Sequence, residues 1–275
     1  MPVSEKKKDS QNILSNNIFQ VGIVVVLVVA AFFMGSLWTK VQMLEKGGTP
    51  TAQPTTAATA QQPAQPTITL AQVKDAFNKS YIKFGDTKKK ITFVEISDPS
   101  CPYCHAAGGQ NHDIYKGLGS QFQLVADGGS YVAPVPEMKK LVDNGQASFA
   151  LIYYPGHGNG EMGQKALYCA FNEGKFWEVD DLIMSSDGYN LLNNTVKNDK
   201  TQSDALAQFL SSVVDPTTMK TCLDSGKYDA QLASDQKLAV TLGVQGTPGF
   251  FVNATAFSGA YNFTDMQSAV DAALK

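Results

Sequence analysis

The feature that most constrains this 275-residue chain is a pair of cysteines three positions apart, Cys101 and Cys104, at the end of a short β-branched run. Ile91-Thr92-Phe93-Val94-Glu95-Ile96 reads as a buried strand, and Asp98-Pro99-Ser100 as the turn that ends it. Pro102 suits the first position of a helix, where its missing N–H would be unpaired in any case. The spacing therefore predicts Cys101 at a helix N-terminus, where free backbone N–H groups and the helix dipole favour a thiolate. Cys104, one turn later and less exposed, is placed to attack a mixed disulfide and resolve it.

The same residues have two other possible meanings. Cys101-x-x-Cys104-His105 matches the c-type haem attachment pattern, with Met138, Met162 or His157 as the second axial ligand. A strand just before the motif is unusual for that class. A zinc site needs a second close pair, and Cys169 and Cys222 do not form one. No cofactor or metal is expected.

Ile18 to Leu37 is an uncharged run of 20 residues, about 30 Å as a helix, enough to cross a bilayer. Lys6, Lys7 and Lys8 precede it, which favours a cytoplasmic N-terminus (residues 1–17) and an external bulk. A cleaved signal peptide would have a shorter apolar region and a nearby small-x-small site, whereas Ala58-Thr59-Ala60 lies far downstream. The expectation is a single membrane anchor over 18–38. Residues 39–67 follow as a flexible linker, since 47–66 hold no charge and no large apolar side chain. A net charge of −3, from 22 basic and 25 acidic residues, gives no reason to expect a nucleic-acid partner.

The folded domain is expected over 68–275. Ser148 to Tyr153 reads as a second strand, and Gly249 to Asn253 with Ala256 to Ser258 as a closing hairpin. Leu206, Phe209, Leu210 and Val213 recur at helical spacing, and Asp215-Pro216 opens a helix that Gly226 ends. Thr264 and Gln267 offer a capping box ahead of a stripe from Met266 to Leu274. Strands alternating with helices around a helical block give an α/β class.

The strand, Cys101-Pro102-Tyr103-Cys104 and the distant Gly246-Thr247-Pro248 resemble the thioredoxin fold of DsbA-like thiol–disulfide oxidoreductases. Pro248 lies 144 residues after Cys104, and this resembles the helical insertion of that branch, here about 158–243. Ala166 to Ala170, Gly174 to Glu178 and Cys222 to Tyr228 are similar to the same insertion. The resemblance implies a cis Pro248 facing the redox pair, with Thr247 pairing with an extended client. Pro102 and Tyr103 would sit against that client. It also implies catalysis by Cys101 and Cys104, reduced secreted proteins as clients and a membrane quinone-linked oxidase as the reoxidising partner. The chain departs from the family in its glycine-rich stretch 106–132 and in having Pro102-Tyr103 where the best-known oxidase has Pro-His.

Glu95 stands where thioredoxin-like proteins often carry a buried acid, and is read as a proton relay for Cys104 rather than a strand-edge residue. With an oxidising exterior, Cys169 and Cys222 are expected to form a structural disulfide rather than two free thiols. His105 is read as touching the Cys101 sulfur or as an exposed helix residue. Gly156 to Gly160 is read as a turn, lacking the ending of a phosphate loop. No heptad or repeat suggests a dimerising stalk, so a monomeric oxidase is expected. A disulfide isomerase or reductase and a non-catalytic client-binding module are the alternatives.

Overall fold

A computed structural model describes residues 68–275. The expected N-terminus, anchor and linker lie outside the described residues. Among the described residues no helix is long and apolar enough to cross a membrane.

The described chain opens with α1 (Leu70–Lys79), β1 (Ile82–Phe84) and β2 (Ile91–Ser97). Next come α2 (Pro102–Gly108), the short α3 (Tyr115–Leu118), α4 (Pro134–Asp143) and β3 (Ala147–Tyr153). A helical block follows: α5 (Glu161–Asn172), α6 (Phe176–Ile183), α7 (Ser186–Asn190), a π-helical turn (Leu191–Val196), α8 (Ser203–Phe209), α9 (Pro216–Asp224) and α10 (Asp229–Thr241). The hairpin β4 (Gly249–Val252) and β5 (Thr255–Ser258) leads into α11 (Phe263–Leu274).

The five strands form one sheet in the order β1-β3-β2-β4-β5. Central β2 runs parallel to β3 and antiparallel to β4, with Glu95 opposite Leu151 on one side and Phe250 on the other. All seven residues of β2 are buried, which explains why its sequence is a continuous run rather than an alternation.

The pleat still sorts its side chains. Val94 and Ile96 pack with Val73, Phe77 and Leu238 of α1 and α10. Ile91 and Phe93 face the other way, into the core shared with the helical block and α11. Glu95 and Ser97 therefore share the face of Ile91 and Phe93. Phe93 and Phe149 are fully or almost fully buried, and each such side chain contributes about 1.5–3 kcal/mol by leaving water.

Some local signals differ from their sequence reading. Thr69 and Gln72 form a reciprocal capping box at the start of α1. The box expected at Thr264 and Gln267 is a correction: α11 begins earlier, capped by the Asn262 side chain accepting from the Thr264 N–H. Pro216 opens α9 under an Asp215 cap. The glycine-rich 106–132 stretch does not lengthen a helix, since α2 stops at Gly108 with Gly109 at φ +72°. It forms short turns over a small core of Ala106, Leu124, Tyr131 and Ala133.

Candidate active site

Strand β2 delivers the chain to the redox turn. The Cys101 N–H donates to Asp98 O at 2.9 Å, and Cys101 O accepts from the N–H groups of Cys104 (3.0 Å) and His105 (3.1 Å). Cys101 is thus the N-cap of α2 with extended φ and ψ, and Pro102 takes the first helical position. Both thiols are free; Cys101 is 5% exposed and Cys104 fully buried. Met184, at the end of α6, packs against both.

The far half of the site comes from the other end of the chain. The Thr247–Pro248 peptide is cis, and the Cys101 thiol donates to Thr247 O at 3.4 Å. An apolar groove walled by Leu242, Val244, Phe251 and Phe257 runs beside Thr247 and Pro248. On the near side Pro102 is half-buried, while Tyr103 is 43% exposed and rests its ring edge on Phe122.

The two sulfurs are made unequal. The Cys104 thiol beside Cys101 favours its thiolate, and Thr247 and the N–H groups of Cys104 and Tyr103 add to this against burial; the Cys101 pKa falls to about 6. Burial first, and then the Cys101 thiolate beside it, push the Cys104 thiol well above its usual range. The Cys104 sulfur accepts a weak bond from the Asp98 N–H at 3.5 Å.

Glu95 is buried in the middle of the central strand, so the strand-edge reading does not hold. Burial raises its pKa to about 7, with Ser97 opposing. Asp180, buried on α6, is also pushed up, by burial first and by the nearby Glu95 charge second.

His105 corrects one of its sequence readings, that of an exposed helix residue. It is fully buried, and its ring nitrogens face Pro99 O at 2.9 Å and Met184 O at 2.8 Å. It therefore braces the turn before Cys101 against the end of α6. With both ring nitrogens so engaged, His105 is not available as a haem ligand. Met138 and Met162 are buried in the core and His157 is exposed. Among the described residues no group of three metal-binding side chains gathers.

Asp98, which reads in sequence only as a turn residue, is a hub. Its carboxylate accepts from Ser100 N (2.8 Å), Ser100 Oγ (2.7 Å), His157 N (2.7 Å) and Gly158 N (3.3 Å). Ser100 then accepts from Asn159 N at its hydroxyl and from Asn193 Nδ2 at its carbonyl, both at 3.1 Å. The 156–160 loop lies close against these groups: a Cβ on Gly160 would come within 1.9 Å of Asp98 Oδ1, and one on Gly156 within 1.9 Å of Thr247 Oγ1. This glycine turn is fitted between the redox turn and the proline loop. Away from the site, Cys169 of α5 and Cys222 of α9 are joined by a disulfide, with Cα atoms 6.3 Å apart.

The fold and the sulfur pair define a thioredoxin-fold protein with a DsbA-type helical insertion, equipped for thiol–disulfide exchange. Residues 135–272, half of the chain, match the thioredoxin family model, and the chain belongs to that family. The match takes in Cys169, Cys222, Thr247 and Pro248 and begins after the redox pair. Among solved structures, α-DsbA1 from Wolbachia pipientis aligns with a TM-score of 0.52 and 18% identity, covering 70% of this chain and 89% of that one. DsbA from Chlamydia trachomatis aligns with a TM-score of 0.50 and 16% identity, covering 69% and 89%. At these identities the likeness is one of fold. The Na(+)/H(+) antiporter NhaA 3 of Salinispora tropica is 24% identical over 189 residues, which is 68% of this chain and 24% of the antiporter. The chain spans about a quarter of the length of that relative.

Proposed function

We propose that this chain is a thiol–disulfide oxidoreductase that passes the Cys101–Cys104 disulfide to reduced client proteins. One observation carries the reading: a thiol with its pKa lowered to about 6 stands at a helix N-terminus, beside a buried partner thiol and facing Thr247 O. A client thiolate attacks the Cys101 sulfur and the Cys101–Cys104 bond breaks. Cys104 leaves as the buried sulfur, and a second client thiol then displaces Cys101. The stabilised Cys101 thiolate favours the reduced enzyme, which drives transfer outward. Thr247 offers backbone for an extended client segment, with Pro102 and Tyr103 on the opposite wall. Glu95 supplies the proton that Cys104 requires on leaving.

The test is stoichiometric transfer from the purified oxidised protein to a reduced, unfolded substrate. Cys101→Ser abolishes it, and Cys104→Ser accumulates mixed disulfides with clients. If reduced substrate is left untouched while a scrambled one is reshuffled, the protein is an isomerase.

The proposal extends to place. We infer that 18–38 anchors the protein with its N-terminus inside, that the monomeric domain works outside the cytoplasm, and that a membrane quinone-linked oxidase recharges it. Protease added to intact cells then releases the domain by cutting within 47–66; protection of that tether from outside overturns the orientation.

A further inference from the structure

Ser97 is a residue to which the sequence draws no attention. It stands two residues after Glu95 on the fully buried β2, so the two side chains leave the same face of the sheet. The next residue, Asp98, donates its N–H to the Cys104 sulfur at 3.5 Å, which sets that sulfur at the strand end beside Ser97. The Ser97 carbonyl is taken by the Tyr154 N–H at 3.0 Å. Its hydroxyl is buried and has no hydrogen-bond partner among the described residues. An unpaired buried hydroxyl on a central strand is an exception that calls for an explanation, a catalytic role among them. The groups it acts on are informative: the Ser97 side chain opposes the effect of burial on both Glu95 and Cys104, favouring the charged form of each.

We propose that the Ser97 hydroxyl is the proton bridge between Glu95 and Cys104. When a client thiolate attacks the Cys101 sulfur, the Cys101–Cys104 bond breaks and its electron pair departs on Cys104. The Ser97 O–H proton passes to that sulfur while the Glu95 carboxyl proton passes to Ser97 Oγ. The Cys104 thiol and the Glu95 carboxylate result, and Glu95 recovers its proton from solvent. The reverse sequence deprotonates Cys104 when the enzyme is reoxidised. A hydroxyl is suited to this because it accepts and donates at one oxygen without holding charge.

This inference rests on the oxidoreductase reading, and the experiment separates the two. Transfer from oxidised protein to a reduced peptide is followed in a single turnover near neutral pH. If the wild type transfers nothing, the functional reading itself fails. If it transfers, Ser97→Ala and Glu95→Gln should each slow the step by about 10²-fold, the low end for a positioned proton donor. The double variant should be no slower than either single one, because both break one path. Ser97→Thr, which keeps the hydroxyl, should stay within a few-fold of wild type. A wild-type rate in Ser97→Ala, or additive losses in the double variant, overturns the bridge. The wild type alone gives a check free of folding defects. Its rate in mixtures of light and heavy water should follow a curve that demands two protons in flight, and a straight line overturns the proposal.

Discussion

The Cys101 thiol and the Thr247 carbonyl meet at 3.4 Å although 146 positions separate them in the chain. The outer sulfur is thereby fixed against the cis-proline loop, while Cys104 lies behind it, fully buried. The chemistry of the site follows from this front-and-back arrangement of two identical functional groups.

The front sulfur should titrate alone through neutral pH. With Cys101 lowered to about 6 and Cys104 pushed well up, thiolate absorbance of the reduced protein should rise by one equivalent with a midpoint near pH 6. Alkylation by iodoacetamide should follow the same curve and fall on Cys101. Cys101→Ser should erase the wave; a midpoint close to the free-thiol value of about 8.5 would contradict it.

Glu95→Gln should stabilise the fold at alkaline pH and do little in acid. Burial raises the carboxyl from 4.5 to about 7, so the fold favours its protonated form. That contribution is complete below pH 4.5 and is lost as pH rises through 7. At the alkaline limit the buried carboxylate costs on the order of 3 kcal/mol, which the amide avoids. Urea unfolding of both proteins across this range should show their difference growing with pH.

Met184→Ala should uncover the sulfurs. Its side chain packs against Cys101 and Cys104 at 3% exposure, and deleting such a group costs about 2–5 kcal/mol. Denaturant unfolding should show that loss, and Cys104, whose full burial should keep it from alkylation in the wild type, should become reactive.

Removing the bridge between α5 and α9 should loosen the insertion. Cys169 and Cys222 are 53 positions apart, and replacing both by Ser should cost roughly 2–4 kcal/mol by freeing that loop in the unfolded chain. Unfolding free energies extrapolated from urea curves, with a steeper slope as the unfolded chain expands, would measure it.

Much of the scaffold is readable in the sequence because burial leaves a mark. Strand β2 and the β4–β5 hairpin appear as apolar, β-branched or aromatic runs, and Asp215-Pro216 announces α9 by the chemistry of its first turn. Strand β1, with three residues, is too short to show a period. Helix α4 hides because its valines and methionine are interleaved with Pro136 and lysines. At the site, the cysteines and Pro248 are legible by spacing and family likeness. Asp98, Ser97 and His105 are not, because each acts through partners that only the fold brings near. An aspartate before a proline looks like a turn former, and nothing local shows that its carboxylate gathers four donors. The capping box at Thr264 misleads for a related reason: two capping sequences lie side by side, and packing of Phe263 into the core selects the earlier one.

The Asp98 hub has a further consequence. One carboxylate holds the turn before Cys101 and the loop after β3, and Ser100 extends the hold to Asn193 in the helical block. These segments cannot open one at a time without leaving a buried charge short of donors. In hydrogen exchange the amides of Ser100, His157 and Asn159 should behave as one opening unit, with a shared free energy above that of the surface turns around them. The reactive sulfur is thus kept in register by a segment that never enters the reaction.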